Sequence, residues 1–263
     1  CGLSHEVIMM TKSEPSLSRS VQDRGGRRRA AGDLSLASLA VVIVAGATWQ
    51  LLGLPASYLA MVVMVFVGFA VLIWSTVPGG LPGPGLGMAN RVTLARATLV
   101  MPIAALVVRV EPLRPVGYWW VIVLATIAMV LDGVDGRVAR RSGTETSFGA
   151  RFDMELDAAL IMVLSVLTWA SGKVAVWALF IGMMRYLFVA AALVWPVLDG
   201  ELPDSLRRKV VCVLQGVVLL VAIGPIVSPG LATVVVGTGL AALTYSFAVD
   251  IAWLVRRGGR RAA

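Results

Sequence analysis

Histidine and cysteine are almost missing from this chain of 263 residues: His5 is the only histidine, and Cys1 and Cys212 are the only cysteines. A lone histidine in a polar tail removes a Ser-His-Asp triad and histidine-based metal ligation from consideration. Two cysteines without CxxC or another zinc spacing argue against a thiolate metal site and against a disulfide framework. Cys212 is expected to serve packing, and Cys1 to belong to a polar, basic tail rather than to carry the acyl group of a lipoprotein. Charge is scarce as well. Only 14% of residues are charged, against about 25% in soluble globular domains, which excludes an ordinary soluble fold.

What is abundant is apolar surface: 58% of the residues are hydrophobic and the mean hydropathy is +0.86. A hydrocarbon core about 30 Å thick needs about 20 apolar residues per helical span. Eight runs qualify, at 37–54, 56–77, 95–112, 117–134, 155–171, 174–197, 210–228 and 231–255. If the spans alternate in direction, one side collects Lys12, Arg19, Arg24, Arg27, Arg28, Arg29, Arg91, Arg96, Arg137, Arg140, Arg141, Arg151, Arg207, Arg208, Lys209, Arg256, Arg257, Arg260 and Arg261, while the other holds only Arg109, Arg114 and Lys173. Basic loops stay cytoplasmic, so both termini are expected there, in the inner membrane. The net charge of +8 then points to anionic lipid headgroups rather than nucleic acid, because the cations sit at span ends and not on one soluble face.

The expected fold is all-α and polytopic. Residues 1–35 form a basic tail without a core of its own, and 36–77 a two-span hairpin. Residues 78–85, Pro-Gly-Gly-Leu-Pro-Gly-Pro-Gly, cannot continue a helix and read as a linker; no GxxxxGK[ST] pattern makes them a phosphate cradle. Residues 86–256 hold six spans, opened by GMANRVTLARATL as an interfacial helix, and 257–263 form a basic tail.

Six of the fifteen acids fall within residues 131–158, between apolar runs. Asp132, Asp135, Gly136, Ala139 and Arg140 recur at i, i+3, i+4, i+7 and i+8, one face of a helix. Ser142 and Glu145 match a capping box for the next helix, on which Gly149, Asp153 and Asp157 recur at i, i+4 and i+8. Helices joined by a short turn pack antiparallel, so the two acidic stripes converge. Four carboxylates near lipid repel one another unless protonated or bridged by a cation. Oxygen-only ligands suit Mg²⁺ or Mn²⁺ rather than Zn²⁺. A pyrophosphate fits beside such cations, beside Arg140, and against the backbone that Gly136 and Ala139 leave open. The chemistry indicated is phosphoryl or phosphatidyl transfer at a membrane surface.

The pattern Asp132-x2-Asp135-Gly136-x2-Ala139-Arg140-x8-Gly149-x3-Asp153-x3-Asp157 resembles the signature of the CDP-alcohol phosphatidyltransferases, and the resemblance covers about residues 86–256. It implies attack of an alcohol hydroxyl on the lipid-side phosphate of a CDP-linked lipid such as CDP-diacylglycerol, with release of CMP. It further implies two divalent ions, Mg²⁺ or Mn²⁺, on Asp132, Asp135, Asp153 and Asp157, with Asp157 as base. Asn90, Thr93, Gly136, Ala139, Arg140, Thr146 and Gly149 would hold the CDP moiety, and the protein would be a homodimer. Where members using glycerol phosphate or inositol phosphate often carry a basic residue after the fourth aspartate, this chain has Ala158, so the resemblance does not specify the acceptor.

Arg185, inside the sixth run, is expected either to contact the acceptor or to snorkel to an interface. Glu155 lies on the opposite side of its helix from Asp153, and Asp250 is expected as a rim charge near Arg256 and Arg257. The rival class is a cation transporter, which would place its acids near the bilayer midplane rather than at one face. A membrane scaffold is the third reading, in which Asp157→Asn is silent.

Overall fold

The computed structural model describes residues 35–76, 88–108, 112–142, 147–200, 203 and 205–262. Among them there are helices and no strands: α1 (Ser35–Leu52), α2 (Ser57–Thr76), α3 (Met88–Val107), α4 (Pro115–Ser142), α5 (Ser147–Ala170), α6 (Leu179–Val194), α7 (Leu206–Ile223) and α8 (Pro229–Ala262). An apolar chain in lipid has no water to satisfy its backbone, so the helix, which satisfies it internally, is the favoured state. Four of these helices are long and apolar enough to cross a membrane, within Ser35–Leu52, Pro115–Gly133, Val176–Val194 and Pro229–Arg257. The chain is thus an all-helical membrane protein. The runs corresponding to α5 and α7 fall short of that measure because Arg151, Asp153, Glu155 and Asp157 occupy the first turns of one, and Arg207, Arg208 and Lys209 those of the other.

Turns are set by local chemistry. Gly53 takes φ +61, with its N–H on the Gln50 carbonyl at 3.3 Å and the Leu54 N–H on the Trp49 carbonyl at 3.1 Å, the paired bonds of a Schellman close to α1. Three boundaries differ from expectation. The stretch expected as a separate interfacial helix is the first part of α3, which runs unbroken from Met88, since nothing between Asn90 and Ala97 interrupts helical geometry. Ser142 is the last residue of α4 and α5 opens at Ser147, so Ser142 does not cap α5; the helix-favouring Arg137–Arg141 stretch carries α4 past the expected turn. Helix α8 continues through residues 257–262, set apart above as a tail. Residues 1–34 and the linker 78–85 lie outside the described residues.

Helix α5 is the hub, packing on α3, α6 and α7. Its buried stripe is Leu156, Leu160, Leu164 and Leu167, the i, i+4, i+8, i+11 spacing of one helical face. Against α6 the backbones nearly touch: a Cβ on Gly182 would lie 2.6 Å from the Met162 Cα, so only glycine permits this approach. The N-terminal hairpin shares the same core. Tyr58 Oη donates to the Pro102 carbonyl at 2.9 Å, Trp120 Nε1 donates to Thr48 Oγ1 at 2.9 Å, and Val41, Ala45 and Val62 pack with Val100, Val121 and Leu124. The hairpin thereby holds α3 against α4, the two helices whose far ends reach the acids.

Candidate active site

Asp153 and Asp157 stand on the first turns of α5, one turn apart, in line with the leucine stripe that fixes the helix in the bundle. Asp132 comes from the second half of α4. The three offer carboxylate oxygens within 4.8 Å of one another, although Asp132 is 21 residues from Asp153 and 25 from Asp157 in sequence. Side-chain exposures of 33%, 40% and 29% leave them open to a ligand from one side.

The group that joins them is Arg96, from α3. Its side chain is 1% exposed. Nη1 lies 2.7 Å from Asp132 Oδ1 and also donates to Asp153, Nη2 donates to Asp157, and Nε donates to the Ala128 carbonyl at 3.2 Å. A guanidinium is planar, always charged and five-fold donating, which suits it to several carboxylates at once. One positive charge against three negative ones still leaves two in excess at full ionisation, among the described residues. A cluster of hard oxygen donors carrying that excess, open on one side, fits a divalent cation.

The sequence pattern places Asp135, Gly136, Ala139 and Arg140 further along α4, Gly149 on α5 and Asn90 on α3; their side chains, like Thr146 altogether, lie outside the described residues. Thr93 is buried one turn before Arg96. Arg185 forms an ion pair with Glu155, so the intramembrane charge on α6 is met by α5, on a different face from Asp153. Arg96 is the member that sequence reasoning missed. In sequence it reads as a flanking cation of a span, and its signal is a charge in the apolar run Ala95–Val108.

Beside the cluster opens a cavity of about 710 Å³ between α4, α5 and α7, with Arg96, Asp132 and Asp157 at one end and apolar walls that include Trp119, Met129, Leu160, Val217 and Leu220. Along α4 it runs from Asp132 to Trp119, thirteen residues or about 20 Å of helix. A polar, anionic head and a long apolar body are the shape of a lipid site.

A family model, CDP-alcohol phosphatidyltransferase, matches residues 86–249. The chain belongs to the CDP-alcohol phosphatidyltransferase family. No curated protein and no solved structure matches it. Membership makes it a transferase of phosphatidyl-type groups in phospholipid biosynthesis, and the matched span contains α3 to α7, most of α8, and every residue of the acid cluster.

Proposed function

We propose that the protein transfers a substituted phosphate, such as phosphatidyl, from a CDP-linked lipid of the CDP-diacylglycerol type to the hydroxyl of an alcohol, releasing CMP. The observation that carries this reading is the meeting of Asp132, Asp153 and Asp157 at the head of a lipid-shaped cavity. In the reaction the acceptor oxygen forms a bond to the lipid-side phosphorus, the bond from that phosphorus to the CMP oxygen breaks, and the hydroxyl proton passes to a base.

Asp132, Asp135, Asp153 and Asp157 would hold the divalent ions, Mg²⁺ or Mn²⁺, two in number. Bound there, the ions supply neutralisation of the diphosphate and stabilisation of charge on the departing CMP. Asp157, the acid deepest along α5, receives the acceptor proton, its merit being position within hydrogen-bond reach rather than strength as a base. Arg96 keeps the acids converged when their own repulsion would part them. Gly136, Ala139, Arg140, Gly149, Thr146, Asn90 and Thr93 line the CDP end, and the apolar cavity receives a lipid chain and excludes water from it. Arg185 contacts the acceptor only through donors not engaged by Glu155. Segregation of the basic residues to one side supports a cytoplasmic active site and cytoplasmic termini in an inner membrane. The working unit is a homodimer.

The test is release of CMP and formation of new lipid by purified protein with CDP-diacylglycerol and Mg²⁺ or Mn²⁺, offered glycerol phosphate, inositol phosphate, inositol, serine, choline and phosphatidylglycerol in turn. Turnover with at least one acceptor, abolished by chelation, is expected. Absence of CMP release with all six from folded protein would overturn the reading.

A further inference from the structure

The cavity beside the acids is a groove with two ends and an open side. Along α4 it runs from Asp132 to Trp119, and along α7 from Cys212 to Gly224, which is thirteen and twelve residues, or about 20 and 18 Å of helix. The two walls agree in length. Trp119, Val217 and Val221 on its rim are exposed, so a chain enters sideways from the bilayer rather than by threading.

The ends differ in kind. At the near end stand Asp132, Asp157 and Arg96, while the far end is the turn from α7 to α8, where Gly224, Ile226 and Val227 line the groove. That turn is held by polar bonds. Lys173, just beyond α5, donates from Nζ to the Gly224 carbonyl and to the Ala222 carbonyl at 3.4 Å, a cation at a helix C-terminus. The Val227 N–H closes on the Gly224 carbonyl at 2.9 Å. An apolar chain that reaches this point meets bonded backbone and a charge, and goes no further along the groove.

Near the acids the passage depends on a missing side chain. Met129 lines the groove three residues from Asp132 and rests its thioether on α7 at Gly216, where a Cβ would lie 2.5 Å from the Met129 Cε and 2.7 Å from its Sδ. A side chain at 216 would displace Met129.

These bounds set a length. An extended chain advances about 1.2 Å per single bond, so 20 Å holds about sixteen bonds; the glycerol and its esters use about five, which leaves about twelve carbons. We propose that the groove gauges the donor, seating one acyl chain of the CDP-linked lipid as far as about its twelfth carbon, between the Met129–Gly216 mouth and the α7–α8 turn. The proposal rests on the transferase reading above and adds which donors are preferred. Methylenes short of the turn gain close-packed contacts with both walls, and those beyond it return to the bilayer. Hydrocarbon surrounds the free donor too, so the preference comes from packing and not from removal of the chain from water. Val221 and Ile226, at the far end, are the specificity-determining residues.

Full-length protein in mixed micelles with Mn²⁺ is titrated calorimetrically, without acceptor, with dihexanoyl, didodecanoyl and dioctadecanoyl CDP-diacylglycerol. Partition of each donor into the micelle is common to all proteins and cancels between them. Val221→Trp fills the far end from an exposed position, which the fold tolerates. It is expected to weaken both longer donors about five-fold or more relative to the dihexanoyl one, as overpacking of an apolar site does. The two longer donors should respond equally. Gly216→Ala, at the mouth, is expected to weaken all three alike, and Gly216→Ala/Met129→Ala to restore them. An equal loss for all three donors in Val221→Trp, or no loss in any, would overturn the proposal. So would a loss that keeps growing from didodecanoyl to dioctadecanoyl, or wild-type protein that binds none of the donors saturably. Length-dependent binding without CMP release once acceptors are added would strike the transferase reading alone.

Discussion

The two charged clusters of this protein are built with opposite signs. At the meeting of α4 and α5, three carboxylates share one buried guanidinium, Arg96. At the start of α7, two guanidiniums share one buried carboxylate, Asp250. Each is over-supplied with one sign of charge in an apolar surrounding, where a buried charge without a partner is costly. In each the minority residue is the buried one and the majority residues face outward. The minority charge holds the others in place, and at the acid cluster, which lies at one end of the cavity, the excess is left for a cation.

The strongest way to break the comparison is to remove a majority acid. Asp157→Asn keeps the shape and removes both a cation ligand and the proton acceptor, so transfer is expected to fall by about ten-thousand-fold or more, at or beyond the upper end of the 10²–10⁴ typical of losing a general base alone, with CMP release as the measure. Asp250→Asn gives a smaller outcome at the other cluster. It should leave Arg207 on Ser246 and cost about 1 kcal/mol of stability in a thermal melt, the range of a partly exposed pair.

Removing the minority cation sharpens the contrast further. Arg96→Gln leaves three acids unmatched, and without divalent ions the protein should lose about 3 kcal/mol, the lower end for breaking a buried pair because the acids are partly exposed. Millimolar Mn²⁺ should restore much of that in a thermal melt and should bind more tightly than to the wild type. A melt unaffected by either change would show that Arg96 is not the organiser of the acids. The smallest effect is expected away from both clusters, at the hairpin: Thr48→Val removes the acceptor for Trp120 Nε1, should cost about 1 kcal/mol, and should leave Mn²⁺ affinity as it was.

Local periodicity made half of this arrangement legible. Asp153 and Asp157 declare a shared face through their spacing of four, and Asp132 joins them by way of α3, which packs on both α4 and α5 and carries Arg96. The organising charges were hidden for the same reason the acids were visible. Arg96 meets Asp153 and Asp157 across 57 and 61 residues, and Arg207 meets Asp250 across 43. Such pairings arise from packing of distant helices and leave no mark on a helical repeat. The same holds for Arg185, whose partner Glu155 is 30 residues away. The eight apolar runs, read as spans, correspond to eight helices among the described residues, of which four are long and apolar enough to cross a membrane. They did not reveal that α3 absorbs the expected interfacial segment, because an uninterrupted helix and two abutting ones share one hydrophobic pattern.

The most direct test of the central claim is a titration of Mn²⁺, followed by electron paramagnetic resonance, into the wild type and into Asp132→Asn/Asp157→Asn in neutral nanodiscs. Saturable binding by the wild type that is lost in the double variant is the predicted result. Equal binding by both proteins would contradict it, because the ion would then be held somewhere other than the junction of α4 and α5.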